Sequence, residues 1–261
     1  MGFILAAMGS AVGLGNIWRF TFMAGENGGG AFILLYFLFI VFLGIPCVIA
    51  MICIGRRGGL SPAGSTKALA VTEGRSENWK LLGWLAIGVA FLALTFFSVI
   101  AGWVLAYLPY SLSGEFVEIT AEESVQLFDD IQASPIIMTF WHGVFMALTM
   151  WIVARGVLNG LEKTINLMMP TLFIILIVLV LYAALVGDLS AALRFMFVPD
   201  FSRVNNDVVL LALGQAFFSL SVGGGGVMNY GSYLDKAASI PRNAVAIVSA
   251  NVSVDMLAGL A

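Results

Sequence analysis

The chain has 261 residues; 61% are hydrophobic, only 10% are charged, and the formal net charge is −3. Mean hydropathy is +1.01. Soluble domains run nearer half apolar and a quarter charged, so no single soluble core would hide this much apolar surface, and disorder is excluded by the same figures. The sequence reads as a polytopic membrane protein, with no basic stripe that would suggest nucleic acid.

A bilayer demands about 20 mainly apolar residues per crossing. Runs of that kind fall near Gly2–Phe20, Gly30–Ile54, Leu81–Tyr110, Pro135–Val153, Ile165–Val186 and Val208–Tyr233, and a seventh begins near Pro241. The first run starts without preceding polar residues and the last is still apolar at Ala261, which reads as a fragment of a longer protein. The first run has no basic leader and no clean small-residue cleavage site, so a signal peptide is not expected. Cys47 and Cys53, six residues apart in one helical run, face different ways, so no disulfide between them is expected. No CxxC or Cys/His cluster supports a metal site.

The connecting segments set an orientation. The segment after the second run holds Arg56, Arg57, Lys67, Arg75 and Lys80; that after the fourth holds Arg155 and Lys163; that after the sixth holds Lys236 and Arg242. Together they carry nine of the twelve basic residues. The segment after the third run, SLSGEFVEITAEESVQLFDD, is acidic. The positive-inside rule then puts the N-terminus in the cytoplasm.

Two of the runs carry their own breakers. The first contains GSAVGLGNIWRF, with Gly9, Gly13 and Gly15 near its middle, beside Asn16 and Arg19. Glycines in a membrane helix also serve close packing, and this stretch alone allows either reading. The sixth reads GQAFFSLSVGGGGVMNYGSY, with four consecutive glycines, Gly223 to Gly226. Packing needs small residues one turn apart, and each glycine costs a helix about 1 kcal/mol relative to alanine, so an unwound segment is the better reading. Irregular backbone at membrane depth is tolerated only against protein or a water-filled cavity. Two interrupted spans in corresponding positions point to a secondary transporter built from inverted repeats. There the half-helix N-termini face anionic substrate groups and the freed carbonyls coordinate cations.

GSAVGLGNIWRF followed by ENGGGAF, then GIP and GR in span 2, GW in span 3, MPTLF in span 5 and GQAFFSLS in span 6 resemble the neurotransmitter:sodium symporter family, and within it the bacterial, leucine-transporter-like amino-acid transporters. The resemblance runs from Gly2 to Ala261. It implies an all-α membrane fold of two inverted five-helix repeats with helices 1 and 6 broken. On that reading residues 1–261 form one truncated transporter domain, with the first repeat over 1–186 and the start of the second over 187–261.

The resemblance also implies roles. A first sodium site takes the carbonyl of Ala11 and the side chains of Asn16, Ser219 and Asn251; a second takes carbonyls of Gly9 and Val12. The substrate amine meets carbonyls of Ala11, Phe218 and Ser219 and the Ser221 hydroxyl, and its carboxylate meets N–H groups near Leu14 and Gly15. Where relatives place a tyrosine in span 3 this chain has Phe97, which cannot donate to that carboxylate, a bond worth about 1.5–3 kcal/mol; either affinity is lower, a water or another donor substitutes, or the substrate is not a standard α-amino acid. Ala93 and Gly224 are small pocket positions and suit a large or aromatic substrate. Asp255 occupies the position where chloride-independent members carry a carboxylate, near Tyr36, Gln215 and Ser219. It balances the sodium charge and allows proton counter-transport. Arg19 and Phe218 form the outer gate, and Tyr233 belongs to the inner one. Without the resemblance, Asn16 reads as an interhelical hydrogen bond, Arg19 as a snorkelling residue and Asp255 as a functional charge or the partner of a basic residue. His142 reads as packed or interfacial, and Met51, where some relatives have an acid, has no account.

The function expected is sodium-coupled symport of an amino acid, chloride-independent, in the cell membrane. No enzyme is expected, since no nucleophile–base pair or phosphate loop is present. Partners are the substrate, sodium ions (the only cofactor expected) and the bilayer; a homodimer is left open. The rival readings are a cation channel, since interrupted helices also line filters, and a fragment incompetent for transport.

Overall fold

The computed structural model describes Gly9 and residues 12–261, except residues 118 and 236, and side chains at 157–159 are likewise outside the described set. Among these residues the chain is almost wholly helical. A π-helical stretch, Gly15–Arg19, runs into α1 (Phe20–Glu26). Next come α2 (Gly30–Phe39) and α3 (Ile45–Gly58), joined through a π-helical stretch Ile40–Gly44 into one 29-residue apolar rod. α4 (Pro62–Thr72) and α5 (Lys80–Ser113) follow, then α6 (Ala121–Ala133), α7 (Pro135–Ala154) and α8 (Lys163–Val186). The rest is α9 (Leu189–Phe197), α10 (Asn206–Ser219), α11 (Gly226–Ser232) and α12 (Ile240–Leu260). Among the described residues five helical segments are long and apolar enough to cross a membrane.

The helix starts are written in the sequence. Ser61 and Ser134 each precede a proline and accept a hydrogen bond from the third helical N–H. Asp188 and Asn205 cap α9 and α10 in the same way, and Thr120 with Glu123 forms a reciprocal capping box on α6. A short polar oxygen satisfies orphan N–H donors, and proline at the first helical turn loses none.

Helices α4, α6 and α9 lie in stretches expected to be connections. They are short and amphipathic or mixed, so a search for runs of about 20 apolar residues passes over them. Spans 2 to 7 keep their expected places with ends moved by a few residues, while most of span 1 lies outside the described residues; span 2 continues to Gly58, and span 3 to Ser113 through Pro109.

The chain divides into two compact units, one made of residues up to Gly88 and from Glu162 onward, the other of Val89–Leu161. In the second unit the Trp103 ring meets Phe128 edge-on at 5.5 Å and its Nε1 donates to Met138 Sδ at 2.8 Å. A side chain at Gly102 would meet the backbone of His142 at 3.0 Å, so α5 and α7 touch there without intervening side chains. His142, expected to be packed or interfacial, is half-buried there.

In the first unit α10 packs on α2, while α3 packs on α11 and α12. Its core includes Phe20, Phe32, Tyr36, Ile40, Val48, Ile52, Ala216, Leu220 and Ile247, all under 5% exposed. Met51, 9% exposed, belongs to the same core, which accounts for an apolar side chain at that position. The contact of α3 with α11 is close: a Cβ on Gly55 would collide with the Met228 carbonyl oxygen, and one on Gly231 would lie 2.8 Å from the Ile52 carbonyl oxygen. Small residues let the two backbones approach in this way.

Candidate functional site

Both expected interruptions are present. Val12 and Gly13 are non-helical, Gly9 on their N-terminal side is helical, and helix resumes at Leu14. Between α10 and α11 the chain is non-helical over Leu220–Gly225. There Ser221 holds φ +51°, and Gly223 and Gly225 hold φ +88° and +72°. Two of the four glycines thus occupy left-handed backbone that L side chains rarely adopt. The break opens at Leu220, three residues before the glycines, because Ser221 takes the first left-handed position.

These interruptions bring a buried polar cluster together. Asn16 (1% exposed) enters from the π-helical stretch, Tyr36 (0%) from α2, Ser219 (2%) from the end of α10, and Asn251 and Asp255 (both 0%) from successive turns of α12. Asn16 Nδ2 lies 2.9 Å from Asn251 Oδ1, 2.9 Å from Asp255 Oδ1 and 3.1 Å from Ser219 Oγ. Asn251 Nδ2 donates to Ser219 Oγ at 2.6 Å and reaches Asp255 Oδ2 at 3.5 Å. The Tyr36 hydroxyl donates to Asp255 Oδ2 and lies 3.2 Å from the Ser219 hydroxyl. Among the described residues no lysine or arginine pairs with Asp255, so the reading of Asp255 as the partner of a basic residue finds no support there.

The cluster combines one carboxylate, two amide oxygens and two hydroxyls in apolar surroundings. Oxygen ligands of this kind suit a small hard cation, and a lone buried carboxylate is costly unless paired or solvated by dipoles. The Asn16 amide currently aims its NH2 group into the cluster, and its Oδ1 accepts from the Gly13 N–H at 2.9 Å. The amide oxygen has a second lone pair, so Oδ1 can hold a cation and keep that N–H. No group of three or more His, Cys, Asp or Glu is found among the described residues, so a tight multi-carboxylate metal centre is not built here.

Above the cluster, Gln215 (0% exposed) makes a bridge that the sequence does not reveal. Its Oε1 accepts from Arg19 Nη1 at 2.6 Å and its Nε2 donates to the Gly15 carbonyl at 3.3 Å. The Arg19 guanidinium stacks on the Phe218 ring, 4.5 Å from its centroid. Arg19 and Phe218, assigned to one gate from the resemblance, are therefore in contact. Gln215, grouped there with Asp255 and Tyr36, instead bonds to the gate arginine.

The remaining expected positions are distributed as follows. Leu14 and Gly15 start the helix after the first break, half-buried and buried, and Gly9 packs beneath Ile165 and Met169. Ser221 and Gly224 lie in the second break, both half-buried. Tyr233 ends α11 and is 60% exposed. Ala93 and Phe97 lie in the second unit, four residues apart and both half-buried on one side of α5. Ala11 lies outside the described residues.

A model of the sodium:neurotransmitter symporter family matches residues 1–126 and 117–261. The chain belongs to that family. It is 41% identical, over its whole length, to an uncharacterized sodium-dependent transporter YhdH of Bacillus subtilis, covering 57% of that protein. It is 26% identical to the sodium-dependent neutral amino acid transporter B(0)AT3 of Rattus norvegicus over 99% of the chain and 45% of the relative. The structure of MhsT in complex with L-phenylalanine superposes with a TM-score of 0.90 at 43% identity, over 99% of this chain and 58% of that one. The chain thus spans about half the length of these relatives. Membership in a family of transporters makes this a multi-pass membrane protein and not an enzyme, with the leucine-transporter-type fold of broken helices 1 and 6.

Proposed function

We propose that the full-length protein is a sodium-coupled symporter of an amino acid, working by alternating access and without a requirement for chloride. The observation that carries this reading is the wholly buried Asp255 carboxylate, held with Asn16, Tyr36, Ser219 and Asn251 between two interrupted helices. A cation entering this cluster meets a fixed negative charge, so no soluble anion is needed for balance. The same carboxylate, protonated when sodium leaves, supplies a route for proton counter-transport.

Asn16, Ser219, Asn251 and the Ala11 carbonyl form the first sodium site in this reading, and the Gly9 and Val12 carbonyls contribute to the second. The substrate lies against the two breaks, its amine at the carbonyls of Ala11, Phe218 and Ser219 and the Ser221 hydroxyl, its carboxylate at the N–H groups of Leu14 and Gly15. By the resemblance, Ala93 and Gly224 leave room for a large side chain, and Phe97 offers no hydroxyl to the carboxylate. MhsT, bound to L-phenylalanine and 43% identical, supports a large apolar amino acid. Arg19 with Phe218, and Tyr233, gate the two sides. In this reading the N-terminus lies inside, which the basic connecting segments support, and the inverted repeats divide after residue 186.

The test is binding of radiolabelled L-phenylalanine and a panel of other amino acids to the purified full-length protein, in sodium or potassium, with or without chloride. Binding that requires sodium, ignores chloride and vanishes in Asn16→Ala is expected. Equal binding in potassium refutes the reading.

A further inference from the structure

The stretch after the second span carries five basic residues, Arg56, Arg57, Lys67, Arg75 and Lys80, against two acids, Glu73 and Glu77. It is not a loose connection. The end of α3, the helix α4, the turn after it and the start of α5 enclose a groove of about 500 Å³. Ile54, Leu69, Trp79 and Leu82 supply its apolar lining, and Glu73 and Arg75 stand in it as the charged residues. The groove belongs wholly to the first unit.

The charges around it are unevenly matched. Glu73 accepts from Arg57 at 2.9 Å, and Glu77 pairs with Lys67 at 2.8 Å. Both acids are thereby engaged, while Arg75 forms no ion pair with any described residue. Trp79, 56% exposed, stands beside it. The groove begins where the apolar run of α3 ends in Arg56 and Arg57. In a membrane protein that level is the interface, where indole rings settle and anionic headgroups concentrate near basic side chains.

We propose that this groove binds one anionic phospholipid, with part of an acyl chain along Ile54, Leu69 and Leu82 and the phosphate on the Arg75 guanidinium. The charge pattern selects this occupant. A purely apolar partner would leave Arg75 uncompensated, and in a zwitterionic headgroup the ammonium offsets the attraction of the phosphate to the basic residues. A planar guanidinium matches a phosphate with two parallel N–H donors. The inference uses the membrane setting of the chain and not its transport cycle, so it stands or falls apart from the symport reading.

The test is native mass spectrometry of the delipidated full-length protein titrated with phosphatidylglycerol or with phosphatidylcholine of the same chain length. One phosphatidylglycerol is expected to bind in preference to phosphatidylcholine. Arg75→Gln weakens it about fivefold, the factor that corresponds to about 1 kcal/mol per basic residue near an anionic surface. Arg75→Lys, which keeps the charge but not the paired donors, restores only part of the preference, and Leu69→Trp, which fills the groove, weakens both lipids. Phosphatidylglycerol binding unchanged in Arg75→Gln overturns the proposal. So does a Leu69→Cys variant, in a Cys47→Ala, Cys53→Ala background, that a small apolar maleimide cannot label in lipid-free detergent. That result would mean that another part of the protein or a second copy covers the groove.

Discussion

The Tyr36 hydroxyl donates to the Asp255 carboxylate across 219 positions of sequence, and both side chains are completely buried. The bond ties α2 to α12 at the level where the first helix is interrupted, and the Asn16 amide reaches the other carboxylate oxygen at 2.9 Å. A cation next to this carboxylate would hold a partner that solvent cannot replace. Removing one member of a buried charge pair costs about 3–5 kcal/mol. Asp255→Ser is therefore expected to weaken sodium-dependent amino-acid binding by on the order of 100-fold or more in chloride-free buffer, with partial recovery at high chloride. Equilibrium binding of the amino acid across a sodium series, with chloride or gluconate as the anion, checks it. Undiminished affinity without chloride would remove Asp255 from the charge balance.

Gln215 joins the first broken helix to the second through Arg19 on one side and the Gly15 carbonyl on the other. Its loss frees a guanidinium that otherwise lies fixed over Phe218. A hydrogen bond to a charged group contributes about 1.5–3 kcal/mol. Gln215→Leu keeps the volume and removes both bonds, so amino-acid affinity should fall at least about tenfold, with little change in the sodium concentration needed for half-maximal binding. Binding isotherms of the full-length variant separate the two. A change confined to the sodium dependence would place Gln215 with Asp255 after all.

Much of this site was legible in the sequence because membrane depth makes exceptions conspicuous. Four glycines in a row, one asparagine among apolar residues and one aspartate in span 7 each conflict with a lipid-facing helix, and each lies at the site or at the breaks that build it. The uninterrupted spans among the described residues were legible by length alone. The Gln215–Arg19 bond was not, since a glutamine near a helix end has many ordinary explanations and its partner lies 196 residues away. The groove under α4 was hidden for a different reason: its walls come from a stretch whose charged residues read as a plain cytoplasmic loop. Gly55 and Gly231 gave no signal either, because their role depends on which two helices meet.

Those two glycines carry a stability prediction. A methyl group on Gly55 has no space beside the Met228 carbonyl, which belongs to backbone and cannot swing aside. α3 and α11 must separate to admit it, and overpacking of a tight contact costs about 1–3 kcal/mol. Gly55→Ala should lower the thermal unfolding midpoint of the full-length protein by several degrees. At Gly13, by contrast, a Cβ meets no described residue within 4 Å, so Gly13→Ala serves as the control. Scanning fluorimetry in detergent compares them, and equal midpoints would mean that the α3–α11 contact yields easily.

Gly224 tests the size of the substrate. It is the glycine of the second break that combines a φ outside the left-handed region with room around it: a methyl group added there meets the Ser221 carbonyl oxygen at 3.5 Å, an ordinary contact. A larger side chain is therefore accepted by the backbone and takes up space beside the break, whereas at Gly223 or Gly225 it would strain the chain. A methylene of lost space in an apolar pocket is worth about 1–3 kcal/mol. Gly224→Val should lower affinity for L-phenylalanine by about 10- to 100-fold while leaving alanine-sized substrates within about threefold. Competition binding with the amino-acid panel measures the ratio. A parallel loss for large and small substrates would mean that Gly224 serves the backbone of the break and not the width of the pocket.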